Sequence, residues 1–302
     1  MVEYKCYIEE HKNMNKVVII ADSTCDLNRD YIKEHDIKIV PLHVSIDGDD
    51  NDYLDGVNLN SDKVYELVEK HGVTPKTGAR NIAEFISDFE PYINEGYDII
   101  FTGIGSGLSS TFNNALLASK EFPEGRIEIV DSQNLSTGIG LLVCKMVKFR
   151  DEGLDVHEIA NRVRALVPLV SAKFCINRLD YLYKGGRCSG MTKIFAHMLK
   201  IHPVAKVIDN KLQVYKKPRG EYRNAVEEQI DEFLTDLKAK NIDLDQIFVT
   251  DSGYMEGEDE YIIKKLSKHV DPKIITHTRA GCVITSHCGP KTIGILYILK
   301  HK

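Results

Sequence analysis

Apolar and polar positions change period repeatedly along the first half of the chain. Val17-Val18-Ile19-Ile20-Ala21 is a short apolar run that stops at Asp22-Ser23-Thr24. That pattern predicts a buried strand followed by a loop. Ile37 to Ile46, rich in Ile, Val and Leu, predicts a second strand ending in the turn Asp47-Gly48-Asp49. Asp98 to Thr102 and Ile127 to Val130 predict two more. Between them the period becomes helical. Asn81 to Ile93 opens with Asn81 and Glu84 in capping-box spacing and then carries Phe85, Ile86, Phe89 and Tyr92 at helical intervals. Ser109 to Phe122 places Phe112, Leu116 and Leu117 in the same way. Such alternation predicts a mostly parallel sheet with helices on both faces. In such sheets ligands bind beyond the carboxyl ends of the strands.

Asp155 to Val167 predicts another amphipathic helix, with Asp155 and Glu158 in capping-box spacing and Pro168 stopping or bending it. Beyond Pro168 the texture changes. Phe174 to Leu182, Lys200 to Ile208 and Leu212 to Lys216 read as strands, and Asp209-Asn210 joins two of them in a hairpin. Tyr222 to Lys240 reads as a long helix. Gln246 to Thr250 and Cys282 to Ser286 read as strands flanking a helix near Glu258 to His269. The expected fold class is therefore α/β with two domains. Residues 16–168 form an N-terminal parallel-sheet α/β domain, residues 169–302 a C-terminal α+β domain, and residues 1–15 an N-terminal extension. No Pro/Ser/Gly-rich linker separates the domains, so they are expected to pack closely.

Composition narrows the class. The 302 residues are 43% hydrophobic and 28% charged, as in ordinary globular proteins. Lys+Arg 39 against Asp+Glu 45 gives a net charge of -6, which argues against a nucleic-acid binder. No apolar run approaches the ~20 residues that span a bilayer; Ile293 to Leu299 is strand-sized. Met1 to Lys16 is polar and charged, unlike a secretory signal. The seven cysteines are odd in number and form no CxxC pair, so neither a zinc site nor a disulfide framework is expected. Reduced thiols in a cytoplasm are the plain reading.

Several segments carry candidate chemistry. Three strands end in Asp-Ser: Asp22-Ser23, Asp131-Ser132 and Asp251-Ser252. Asp and Ser also cap turns, but here they stand where a ligand would. Thr102-Gly103-Ile104-Gly105-Ser106-Gly107-Leu108-Ser109-Ser110-Thr111 joins a strand to a helix; its hydroxyls and the helix N-terminus favour an anion. It is neither GxGxxG nor a P-loop. Thr77, in Pro75 to Asn81, offers another hydroxyl. Lys184-Gly185-Gly186-Arg187 is a basic turn, and Arg187 suits a carboxylate or phosphate. Ser286-His287-Cys288-Gly289-Pro290 puts His287 at the end of the expected Cys282 strand. Ser109 and His287 also raise a nucleophile–base pair in a hydrolase-like or phosphotransferase-like enzyme. There is no Gly-x-Ser-x-Gly elbow, nucleotide loop or clear magnesium-binding carboxylate cluster to go with it.

Taken in order, five landmarks resemble the DegV family of bacterial fatty-acid-binding proteins: Ala21 to Leu27; Pro75-Lys76-Thr77; Ser106 to Thr111; Leu179 to Arg187; and Ser286 to Pro290. The resemblance runs from about Lys16 to the C-terminus. It implies a non-catalytic, cytoplasmic carrier of one long-chain fatty acid, with no cofactor and no metal. The acyl chain would lie in a tunnel in the first domain, with the carboxylate near the domain interface and the second domain closing over it. By position, Thr77 and Ser109 would hydrogen-bond the carboxylate, with Ser110 beside them and Arg187 and His287 nearby. Some members hand the acid to a separate fatty acid kinase; no nucleic acid and no stable membrane insertion are implied. Where the family often has Thr-Ser-Gln-Pro-Ser, this chain has Thr77-Gly78-Ala79-Arg80-Asn81, which keeps the Thr but alters the loop behind it, and Arg80 adds a charge. Ser110 and Lys291 each stand where glycine is usual.

Overall fold

The computed structural model describes residues 16–189 and 201–300. The expected extension at residues 1–15, and Lys200 at the head of an expected strand, lie outside the described residues. Four strands of the first half, β1 (Val17–Asp22), β2 (Lys38–Val40), β6 (Asp98–Gly103) and β7 (Ile127–Asp131), form an all-parallel sheet in the order β2-β1-β6-β7. A small antiparallel sheet, β4-β3-β5, stands beside it: β3 (His43–Ser45), β4 (Tyr53–Leu54) and β5 (Lys76–Gly78). The second half supplies a mixed seven-stranded sheet, β13-β12-β14-β8-β10-β11-β9. Its strands are β8 (Val170–Cys175), β9 (Cys188–Ser189), β10 (Val204–Ile208), β11 (Lys211–Lys216), β12 (Ile242–Asp251), β13 (Ile275–Arg279) and β14 (Ile293–Leu299).

Helices cover these sheets. The first half contains α1 (Arg29–Glu34), α2 (Ser61–His71), α3 (Ile82–Asn94) and α4 (Thr111–Ala118). The Asn81/Glu84 capping box is formed at the head of α3. Phe85 and Phe89 of α3 pack with Phe101 of β6 and Ala115 of α4 on one face of the parallel sheet. The other face packs on α5 (Thr137–Asp151) and α6 (Val156–Leu166). Helix α5 is the hinge piece of the core. Ile139, Leu142, Val143 and Met146 are fully buried, between Ile19 and Ile100 of the parallel sheet and Phe248 and Leu296 of the mixed one. One apolar core therefore runs through both halves, which keeps them closely packed. On the far face of the mixed sheet lie α8 (Tyr222–Lys238) and α9 (Glu258–Leu266). Two short helices, α7 (Leu179–Gly185) and α10 (Cys282–Cys288), lie between the halves.

Four sequence expectations need correction. Ile37 to Ile46 is two strands in different sheets, because Pro41 cannot donate to a ladder and breaks the run between β2 and β3. Phe174 to Leu182 is not one strand; the ladder stops at Cys175 and the chain turns into α7. Cys282 to Ser286 is helix α10, not a strand. Its β-branched residues suggest a strand, but two distant carboxylates cap its first turn. Asp55 accepts the Cys282 N–H at 2.6 Å and Asp26 accepts the Gly281 N–H at 2.8 Å. The helix expected over Ser109 to Phe122 begins only at Thr111 and closes with a 3-10 turn at Ser119–Glu121. The Asp209-Asn210 hairpin forms as expected, with both residues in the left-handed region at φ 48° and 58°.

Candidate functional site

The residues singled out in the sequence converge. Thr77, Ser109, Ser110, Arg187 and His287 all line one cavity of about 240 Å³ between the two halves. That is near the lower end for small-molecule sites, which run from about 300 to 1,000 Å³. The remaining wall is mainly apolar: Leu42, Ile104, Leu108, Leu135, Leu212, Val283 and Ile284 among others. Most of these belong to one buried cluster drawn from both halves.

Each polar group reaches the cavity by a local device. Thr77 sits in the middle of β5, opposite Val44 of β3. Ser109 precedes α4; its hydroxyl lies 2.9 Å from the Thr111 hydroxyl and accepts the Thr111 N–H at 3.3 Å. Ser110 is the N-cap residue of α4 and its side chain makes no capping bond. Arg187 follows α7, is largely exposed, and donates Nη1 to the Gly185 carbonyl at 2.9 Å. His287 occupies the last turn of α10, where Nε2 lies 2.8 Å from the Thr77 hydroxyl.

The glycine loop that carries Ser109 is pinned from beneath. Asp22, at the end of β1, accepts the Ile104 N–H at 2.8 Å. A side chain on Gly103 would put a Cβ 2.2 Å from the Asp22 carboxylate, so this approach requires glycine. Asp131, at the end of β7, accepts the Ser106 N–H at 3.0 Å and the Ser106 hydroxyl at 2.6 Å. Two of the three Asp-Ser dipeptides thus build the loop rather than line the cavity. The third, Asp251-Ser252, lies outside it. Asp251, Asp259 and His277 each bring a donor atom within 4.8 Å of one another. His277 Nε2 is 2.5 Å from Asp251, and Arg279 lies 3.2 Å from the same carboxylate.

The electrostatics are uneven. Burial, and then the Arg187 charge, push His287 down to about 4, so its ring is neutral at pH 7. Its Nδ1 is buried with no hydrogen-bond partner among the described residues. Burial pushes Asp22 up to about 6 and raises Asp26 and Asp55 as well. Among the described residues lining the cavity, the cation is Arg187. Arg80 is committed elsewhere: its guanidinium holds Asp88 at 2.5 and 2.9 Å. The Ser109 and His287 side chains are hydrogen-bonded to Thr111 and Thr77, not to each other. A histidine held neutral down to about pH 4 is a weak base for activating serine.

Sequence reasoning missed Asp22 and Asp131 as supports of the glycine loop and Leu212 as part of the cavity wall. The Asp-Ser dipeptides were a signal for the first two. For Leu212 the only signal is the hairpin turn beside it.

Comparison with known proteins decides the family. A profile described as "Uncharacterised protein, DegV family" matches residues 16–300. The chain belongs to the DegV family. A DegV domain-containing protein of Staphylococcus aureus is 30% identical over 292 residues, covering 95% of this chain and 100% of that one. The DegV structure from Bacillus subtilis, described as a fatty acid binding protein, superposes with a TM-score of 0.81 at 25% identity, over 95% of this chain and 100% of that one. A stearic acid-binding protein from Eubacterium ventriosum gives 0.80 at 25% identity, over 95% and 99%. The two-part α/β architecture is thus the DegV fold. Among the described residues no helix is long and apolar enough to cross a membrane.

Proposed function

We propose that this DegV protein binds one long-chain fatty acid without covalent chemistry and carries it in a cytoplasm. The observation that carries this reading is the cavity itself. Among the described residues, the hydroxyls of Thr77, Ser109 and Ser110, the His287 imidazole and one cation, Arg187, share the cavity with a mainly apolar wall. A carboxylate would accept from the hydroxyls and face the guanidinium, while the acyl chain takes the apolar side. In this reading residues 16–168 hold the chain in a tunnel and residues 169–302 close over the headgroup.

The energetics suit such a ligand. About 14 methylenes of a C16 chain at ~0.8 kcal/mol each give roughly 11 kcal/mol of gross transfer energy, before ordering costs. Charge-assisted hydrogen bonds add about 1.5–3 kcal/mol each and fix the orientation. Burial supplies affinity and the hydroxyls supply register.

The carrier then presents the acid to a separate fatty acid kinase. The bound pairing of Ser109 and His287 with other groups supports a role without catalysis by this chain. The test is calorimetric titration of delipidated protein with palmitate and with its methyl ester. Tight binding of the acid and much weaker binding of the ester support the reading; equal binding removes the carboxylate site. A pull-down of the kinase with loaded and empty protein tests the presentation step.

A further inference from the structure

The hairpin between β10 and β11 does more than extend a sheet. Its tip lies against the glycine loop of the other half. The backbone carbonyl of Asn210 sits so close to Gly107 that a Cβ there would lie 1.9 Å from it, and the three nearest atoms to that position all belong to Asn210. Asn210 Nδ2 donates to the Ser106 hydroxyl at 2.7 Å and reaches Asp131 at 3.4 Å. Two residues further on, Leu212 lines the cavity together with Ile104 and Leu108 of the glycine loop. The hairpin tip and the loop are thus adjoining parts of one wall, joined by polar contacts.

That joint carries a built-in cost. Asn210 Oδ1 is buried and has no hydrogen-bond partner among the described residues. A buried acceptor left unpaired opposes the closed contact, and release into water would satisfy it. The hairpin itself does not need the contact to hold its shape. Its two-residue turn is set by the left-handed backbone of Asp209 and Asn210, and its strands by their own ladder. Among the described residues, on the side away from β10, β11 pairs with β9 through Leu212 and Gln213.

We propose that this hairpin is a latch on the cavity, fastened by Asn210 to the Ser106–Gly107 loop, and that its release sets the rate at which ligand enters and leaves. The proposal rests on reading the cavity as a fatty-acid site. A latch differs from a fixed wall in kinetics. Loosening a wall speeds dissociation alone, the usual effect of contact mutations, whereas loosening a gate speeds both directions.

Two variants isolate the contact. Asn210→Gly removes the amide and keeps a turn of Asp-Gly type, which favours the same hairpin. Gly107→Ala forces the tip away. Stopped-flow fluorescence with cis-parinaric acid should show association and dissociation both rising about tenfold in either variant, with the equilibrium constant within about threefold. A rise in dissociation alone, or no change in either rate, overturns the latch. Amide hydrogen exchange of the ligand-free protein gives a reading that does not depend on lipid. Asn210→Gly should speed exchange in residues 104–109 and 208–212 and leave the core unchanged; unchanged exchange there overturns the latch. Failure of the wild type to bind the probe would instead count against the fatty-acid reading.

Discussion

The Thr77 hydroxyl and Nε2 of His287 lie 2.8 Å apart, although 210 positions separate them in the chain. The contact crosses from the small antiparallel sheet of the first half to α10 of the second. It ties the Thr77 side of the cavity to the interface between halves. Anything that moves α10 must move the Thr77 hydroxyl or break this bond.

If Thr77 and Ser109 hold the carboxylate, removing both hydroxyls should cost about tenfold in affinity each, at ~1.5 kcal/mol per charge-assisted bond. The Thr77→Ala/Ser109→Ala double variant is expected to bind palmitate about 100-fold more weakly, with its far-UV circular dichroism unchanged. Calorimetry checks this, and unchanged affinity would remove these residues from the site.

Arg187 is exposed, so its pull on a carboxylate is screened by salt. Affinity of the wild type should fall as salt rises from 20 to ~500 mM, a range over which the screening length shrinks severalfold. Arg187→Gln should bind about tenfold more weakly at low salt and show little salt dependence. Parallel salt curves for the two proteins would contradict the assignment.

The histidine predicts an acid-side signature. Burial and Arg187 hold His287 near 4, against 6.5 for an ordinary imidazole. Between those values the unfolded chain binds more protons than the folded one, so stability rises with pH through the window and is complete above it. At about 1.4 kcal/mol per pH unit the ceiling is about 3 kcal/mol. Asp22, pushed up to about 6, works the other way: it favours the folded protein as pH falls from about 6 towards 3.8. The wild-type curve therefore mixes both. Subtracting urea-unfolding curves of His287→Gln from those of the wild type isolates the histidine. The difference should move against the wild type as pH drops from 7.5 to 4; a flat difference would show that His287 is not held neutral by the fold.

Gly185 is a quieter test of the same geometry. A Cβ there would lie 2.4 Å from His287 Nδ1. Gly185→Ala should displace the imidazole, break the Thr77 contact and cost roughly 1–3 kcal/mol, the usual range for overpacking. Thermal unfolding of this variant, with palmitate binding alongside, checks both effects. A fully stable variant of native affinity would mean that the ring shifts freely.

The sequence made parts of this visible for identifiable reasons. The α3 capping box and the Asp209-Asn210 turn are local, so residues three or fewer apart predicted them. The five cavity residues lay in short motifs, and the fold brings all five together. The α10 segment reads as a strand because Val283, Ile284 and Thr285 are β-branched, while its caps, Asp55 and Asp26, lie more than 220 residues away. Helix α5 left no amphipathic stripe to read, since it is buried on nearly every side between two sheets. Asn210 was legible as a turn but not as a contact, because nothing near it in sequence points to Ser106.

The central claim is that the cavity holds one fatty acid by its carboxylate. Mass spectrometry of the protein purified under native conditions tests it most directly, with the extracted lipid identified in parallel. One long-chain fatty acid per chain, depleted in the Thr77→Ala/Ser109→Ala variant, is the predicted result. Wild-type protein that carries no lipid and takes none up when mixed with fatty acid would contradict it.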